Sequence, residues 1–299
     1  MTQLLDGKVA LITGAGGGVG RAYALLLARE GCAVVVNDLS VTPEGEAAEP
    51  GAHLADNVVA EIRAAGGLAT ADHGDVSDPE QARAMVARAV DEFGKLDILV
   101  NNAGIFRERP FAEMSWDDWT AIIDVHLHGS FLLSQMAFQL FVEQGHGGVI
   151  VNTASRTALR GKELQANYAA AKGALISLTQ TIALEGKAHD IRAITICPRG
   201  LTRGWENAAI TSAGPITDEL RSRFSLDAPA LALLFLVSDL AADITGRTFF
   251  ASAERISEVR WEQAPGLNPT SETTVHDLAL SAARNELSYS GAFDANRIS

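Results

Sequence analysis

Tyr168 and Lys172 stand four residues apart in the stretch QANYAAAKGALISL, whose apolar spacing predicts a helix over 167–186, so both side chains share one face. A free phenol has a pKa of about 10 and is a weak base at neutral pH. An ammonium beside it favours the phenolate. Such a pair can take a proton from an alcohol oxygen, or return one, while hydride moves at the carbon. Ser155 ends a short β-rich stretch upstream, where its hydroxyl can bond the same oxygen and orient it. The Tyr-xxx-Lys spacing alone equally describes a solvated surface pair, so its meaning rests on the rest of the chain.

A second set of residues could seat the hydride carrier. Thr13-Gly14-Ala15-Gly16-Gly17-Gly18-Val19-Gly20 follows an apolar strand and opens a helix. Glycine accepts positive φ and leaves the backbone bare, so a pyrophosphate can approach closely. The helix start then turns its free N–H groups and positive dipole end to the anion. The glycines by themselves also fit an ordinary turn. Asp38 narrows the choice, because it ends the next strand about 20 residues on, within one βαβ unit. A carboxylate there accepts hydrogen bonds from the adenosine ribose and repels a 2′-phosphate. No Arg or Lys occurs between Asp38 and Arg63 to reverse that preference. The expected cofactor is NAD rather than NADP; a solvated strand-end carboxylate is the alternative for Asp38.

These groups need a frame. Short apolar strands are predicted at 9–13, 33–37, 69–72, 98–100, 149–152, 191–196 and 247–251, separated by helices at 19–30, 54–65, 79–93, 115–143, 167–186 and 228–240. Pro79 suits a first helical turn and Ser115 an N-cap. Strands apolar at every position, alternating with helices, predict an α/β fold: a single-domain, Rossmann-like, doubly wound parallel sheet with helices on both faces. The predicted domain spans 1–251. From residue 252 the composition turns towards Ser, Glu, Arg, Asn and Pro, which predicts a C-terminal extension over 252–299 that is partly ordered near Val259-Arg260-Trp261.

Composition excludes several other readings. The chain has 299 residues, 47% of them apolar, and a formal net charge of -13. Nucleic acids and anionic membranes call for clustered positive charge, so neither is an expected partner. No apolar run approaches the roughly 20 residues of a membrane helix, and the N-terminus lacks a secretory pattern. Cys32 and Cys197 have no CxxC partner. No metal site is expected, and two isolated thiols fit a reducing, cytoplasmic setting.

Taken together, TGAGGGVG at Thr13 to Gly20, NNAG at Asn101 to Gly104, Ser155, and YAAAK at Tyr168 to Lys172 resemble the pattern of the short-chain dehydrogenase/reductase family over roughly residues 5 to 250. The resemblance implies that Tyr168 is the acid/base. Lys172 would lower its pKa and bind the nicotinamide ribose, and Ser155 would hold the substrate oxygen. Asp75 and Val76 would flank the adenine. Asn102, Ala103 and Gly104 would form the cofactor floor, with Pro198, Gly200 and Thr202 also at the cofactor. GRAYALLLAREG, VVVNDLS, VHLHGSF, QANYAAAK and VRWE are further similar to one branch of that family, the 3-hydroxyacyl-CoA dehydrogenase domain of peroxisomal multifunctional enzyme type 2. Most of the family has Asn in the middle of the long helix, supporting a relay water; here His126 takes that place, either as a relay residue or as a hydrogen-bonded helix histidine. The family's Val-Asp-Gly-Gly near the last strand is absent, and its Pro-Gly reads Pro198-Arg199-Gly200.

Arg107, Arg109, Arg156, Arg160, Arg199 and Arg203 all fall in predicted loops after strands, the edge that holds ligands in a doubly wound sheet. They are either solvated or gathered for an anionic substrate such as an acyl-CoA. By resemblance, residues 201–226 form a substrate lid in which Trp205, Ile210, Ile216 and Phe224 cover an apolar group or pack on the body; Arg107, Arg156 and Trp205 are the candidate substrate contacts. The expected activity is reversible hydride transfer between NAD and a secondary alcohol or ketone, with a 3-hydroxyacyl-CoA ahead of a steroid-like or cyclic alcohol. A dehydrogenase or reductase using NADP, and a non-catalytic dinucleotide-binding sensor, remain the rivals. The resemblance also implies a homodimer or homotetramer built through the two long helices.

Overall fold

The computed structural model describes residues 3–46, 53–200, 217–260, 270 and 273–283. Val9–Ile12 (β1), Ala33–Asn37 (β2) and Ile98–Asn101 (β4) are buried at every position, as strands covered on both faces must be. With Ala69–Asp72 (β3), Gly148–Thr153 (β5), Ile191–Pro198 (β6) and Thr248–Ala251 (β7) they pair in parallel, in the order β3-β2-β1-β4-β5-β6-β7. Ile256–Val259 (β8) adds an eighth strand, antiparallel to β7. The sequence predicts parallel pairing throughout and places this segment in the tail. The turn closed by the Ser252 N–H on the Arg255 carbonyl is too short for a crossover, so the returning chain can pair only antiparallel.

Successive residues of a strand face opposite sides, and the core divides accordingly. Ala10 and Ile12 pack with Tyr23 and Leu27 of Gly18–Arg29 (α1), Val58 of Leu54–Ala64 (α2) and Leu233 of Asp227–Val237 (α9). Val9 and Leu11 pack with Met85 of Pro79–Phe93 (α3) and with Leu133 and Phe141 of Gly129–Gln144 (α5). Thr157–Arg160 (α6), Ala166–Gly186 (α7) and Asp218–Arg223 (α8) follow in the second half. The strand order reverses between β1 and β4, which opens a crevice at the carboxyl ends of the strands.

Local chemistry sets the helix ends. Asp78 accepts the Glu80 and Gln81 N–H groups ahead of Pro79, and Gly94, at φ +82°, ends α3. Ser115 caps Trp116–Ile123 (α4) by accepting the Asp118 N–H at 3.0 Å, as the sequence predicts. The long helix predicted over 115–143 is interrupted, however. Asp124–His128 forms a π-turn between α4 and α5, and this wider turn carries the buried His126. Residues 260–299 form a second unit, in which Val275–Ala283 (α10) is helical and Thr274 and Asp277 cap its start reciprocally.

Candidate active site

A cavity of about 540 Å³ opens at the carboxyl ends of the strands. Toward the start of α1 it is lined by Gly14, Gly17, Gly18, Val19, Gly20, Asp38, Asp75, Val76, Asn102, Ala103 and Gly104. Gly17, the N-cap of α1, offers no side-chain acceptor, so the first N–H groups of the helix stay available to a ligand. Gly14 sits at φ +61°, with Ala103 Cα 2.8 Å from where a Cβ would stand. A Cβ on Gly20 would fall on the Gly14 carbonyl and the Asn102 amide. Thr13 and Gly16 lie behind this lining. The Thr13 hydroxyl accepts the Asn102 and Ala103 N–H groups, both at 3.0 Å, and the Asn102 amide donates back to the Thr13 and Gly14 carbonyls. The two loops are thereby bolted together.

Asp38 is nearly buried. Its carboxylate accepts the Gly16 N–H at 2.9 Å and the Ser40 N–H at 2.7 Å, with lone pairs left for further donors. A Cβ on Gly16 would stand 2.7 Å from that carboxylate, so the turn must be glycine for Asp38 to reach it.

At the other end Ser155, Tyr168, Lys172 and His126 share the wall, with Tyr168 and Lys172 four residues apart on α7. Lys172 is buried, donates to the Thr153 carbonyl at 2.6 Å, and holds Nζ 5.6 Å from the Tyr168 ring centre. The electrostatics differ from the sequence expectation. Burial pushes the Tyr168 phenol up to about 12, partly offset by a hydrogen bond with Ser155 and reinforced by Cys197. Burial also pulls the Lys172 ammonium down to about 7, with Cys197 opposing it. Desolvation thus dominates at both groups. His126 is held well below the usual imidazole range by burial and by the Lys172 charge, against the hydrogen bond to Ile105. Its Nε2 lies 2.8 Å from the Ile105 carbonyl and 3.2 Å from the Ile105 N–H, contacts that ask opposite roles of that nitrogen, while the buried Nδ1 has no partner among the described residues. Its ring meets the Tyr168 ring edge-on at 5.2 Å.

Pro198 and Gly200 line the cavity, as do Arg156, Arg160, Arg199 and Phe224. Arg107 and Arg109 do not. The Arg107 guanidinium goes to the Glu44 carbonyl at 3.2 Å and to Glu46 at 3.6 Å, and Arg109 pairs with Asp118. Thr202, Arg203, Trp205, Ile210 and Ile216 lie outside the described residues. Two residues escape sequence reasoning. Phe106 stacks on Tyr168 with ring centres 5.0 Å apart. Asn167, fully buried, donates to the Arg107 and Asp118 carbonyls and accepts the Tyr168 N–H, which fixes the start of α7. Asn167 stands in the QANYAAAK phrase, but its partners are visible only in three dimensions.

Comparison with known proteins agrees with this geometry. The family model described as short chain dehydrogenase matches residues 8–209. Peroxisomal multifunctional enzyme type 2 of Mus musculus is 38% identical over 261 residues, covering 87% of this chain and 34% of that protein. The chain thus spans about a third of that multifunctional relative's length. A protein of Mycobacterium tuberculosis named as a short-chain type dehydrogenase/reductase is 36% identical over 272 residues, 91% of each chain. The crystal structure of a short chain dehydrogenase from Mycobacterium avium superposes with a TM-score of 0.80 at 35% identity, covering 94% of this chain and 95% of that one. With the parallel sheet, the bare glycine turn and the Tyr168–Lys172 pair at one cavity, the chain belongs to the short-chain dehydrogenase family of oxidoreductases.

Proposed function

We propose that the protein catalyses NAD-linked, reversible oxidation of a secondary alcohol to a ketone, with a 3-hydroxyacyl thioester as the leading substrate class. The observation that carries this reading is the single cavity wall that runs from the glycine turn and Asp38 to Ser155, Tyr168 and Lys172. The residues fit a dinucleotide: Gly14 and Gly20 leave a cradle that a Cβ would fill, and Asp38 faces the cavity without a cationic partner among the described residues. The N–H groups at the start of α1 would hold the pyrophosphate and Asp38 the adenosine ribose. Asp75 and Val76 would flank the adenine, and Lys172, with Asn102, Ala103, Gly104, Pro198 and Gly200, the nicotinamide end. Bound there, NAD supplies the hydride acceptor and a positive charge that opposes the burial penalty on the phenolate.

Tyr168 takes the proton from the alcohol during oxidation and returns it during reduction. With the phenol pushed to about 12, Tyr168 is a proton donor at neutral pH, and oxidation accelerates as pH rises. Ser155 holds the alcohol oxygen, Phe106 braces the Tyr168 ring by stacking on it, and His126 offers its unpartnered Nδ1 for proton relay. Residues 1–251 would form the catalytic domain with its lid at about 201–226, followed by the extension. Phe131, Val142 and Leu184, exposed on α5 and α7, support association of copies through these helices as a dimer or tetramer. The buried Cys32 and Cys197 support a reducing compartment such as the cytoplasm.

The test is NADH formation at neutral to alkaline pH from NAD and a medium-chain 3-hydroxyacyl-CoA. Tyr168→Phe should lower kcat by about 10²–10⁴-fold while NADH affinity is kept. Equal turnover in the variant removes Tyr168 from the chemistry. Tight NADH binding without turnover of any alcohol favours the sensor, and tighter NADPH than NADH binding reverses the cofactor assignment.

A further inference from the structure

Four cations line the substrate end of the cavity: Arg156, Arg160, Lys162 and Arg199. Lys162 is paired with Glu108 at 3.3 Å and Arg199 with Glu254 at 3.6 Å. Arg156 differs from both. Among the described residues it has no carboxylate partner, and its Nε is buried with no hydrogen bond. Its guanidinium lies over the Phe250 ring, 5.0 Å from the centroid, so the fork is held in place by stacking. Burial, then the charges of Arg160 and Arg199, press on it to lose its proton. A cation partly withdrawn from water, facing two others and with a donor unmet, is completed by an anion.

Building on the alcohol oxidation above, we propose that Arg156, flanked by Arg160 and Arg199, seats an anionic group of the substrate, so that the enzyme acts on secondary alcohols bearing a carboxylate or phosphate. The planar fork offers parallel donors that fit either group in a bidentate manner, which a lysine cannot do. Arg156 directly follows Ser155, so the seat adjoins the hydroxyl that orients the reacting oxygen. Phe224, against which Arg199 stacks at 4.7 Å, lends an apolar side to the same end of the cavity. A hydroxy acid carboxylate and the phosphates of a carrier thioester present the same chemistry to this seat.

The test presents one medium-chain 3-hydroxyacyl group in three forms: the free acid, the CoA thioester and the neutral N-acetylcysteamine thioester. In the wild type, kcat/KM for the better anionic form should exceed that for the neutral form. Arg156→Gln should shrink that ratio about ten- to hundredfold, mainly through KM, and Arg156→Lys should restore part of it. The leading anionic form identifies the source of the charge. Equal losses on all three forms, or no anionic preference in the wild type, overturn the seat. If none of the three is oxidised, the proposed substrate class fails, and the seat is read without catalysis. With NADH present, malonate or inorganic phosphate should then raise the wild-type Tm but not that of Arg156→Gln. Equal protection of both proteins, or protection of neither, overturns the proposal. Arg160→Gln replaces Arg156→Gln if the latter does not fold.

Discussion

The two ends of the cavity are built from different materials. The cofactor end is backbone: glycines of one turn, the first N–H groups of α1, and a loop tied to them by Thr13 and Asn102. The carboxylate nearest the turn, Asp38, is itself fixed by two backbone N–H groups. The substrate end is made of side chains from distant elements: Phe106 after β4, Arg156 after β5, Arg199 after β6 and Phe224 after α8. Backbone seats of the first kind tolerate almost no change of shape, whereas side-chain walls can change what they recognise without moving the frame. The contrast implies that one end preserves the cofactor while the other sets the substrate.

The largest expected break is at Gly20. A methyl group there has backbone on one side and the Asn102 amide on the other, and neither can swing away. Overpacking of this kind costs about 1–3 kcal/mol, and here the turn itself must open. Gly20→Ala should therefore weaken NADH binding by about a hundredfold, with a lower Tm. Isothermal titration of wild type and variant checks it. Unchanged affinity would mean that the backbone seat is softer than its geometry indicates, and the contrast between the ends would dissolve.

A smaller effect is expected at Asp38, where the cofactor end depends on charge rather than shape. Asp38→Asn keeps the size but removes the repulsion of a 2′-phosphate. The ratio of NADPH to NADH affinity should rise about ten- to hundredfold. No change in that ratio would show that selectivity lies elsewhere on the wall.

The same contrast governs what could be read without the fold. TGAGGGVG, Asp38 and YAAAK are legible because each acts through neighbours close in sequence: a turn feeding its own helix, the end of the next strand, one helix face. Ser115 as an N-cap is legible for the same reason. The substrate end is not. Nothing around Phe106 in AGIFRERP marks it as the ring stacked on Tyr168, and Arg107 beside it is drawn away by Glu44 and Glu46, which lie about sixty residues earlier. Burial likewise reverses the simple electrostatics of Tyr168 and Lys172, because desolvation depends on every packed neighbour. The π-turn at Asp124–His128 has ordinary helix composition, so periodicity runs straight through it.

His126 stands on the border between the two ends, packed against Gly104 on one side and Tyr168 on the other. The fold refuses it a proton, through burial first and the Lys172 charge second. Above pH 6.5 the imidazole is neutral in folded and unfolded chains alike, so it contributes no pH dependence there. Below that point the unfolded chain gains a proton that the folded one rejects, and stability falls by up to about 1.4 kcal/mol per pH unit. Urea denaturation at pH 6.5 and pH 5 should therefore show a larger loss for the wild type than for His126→Asn, by up to about 2 kcal/mol. Equal losses would place the acid sensitivity elsewhere and mark His126 as a group that can be charged in place, which would turn this border from a fixed wall into a titrating one.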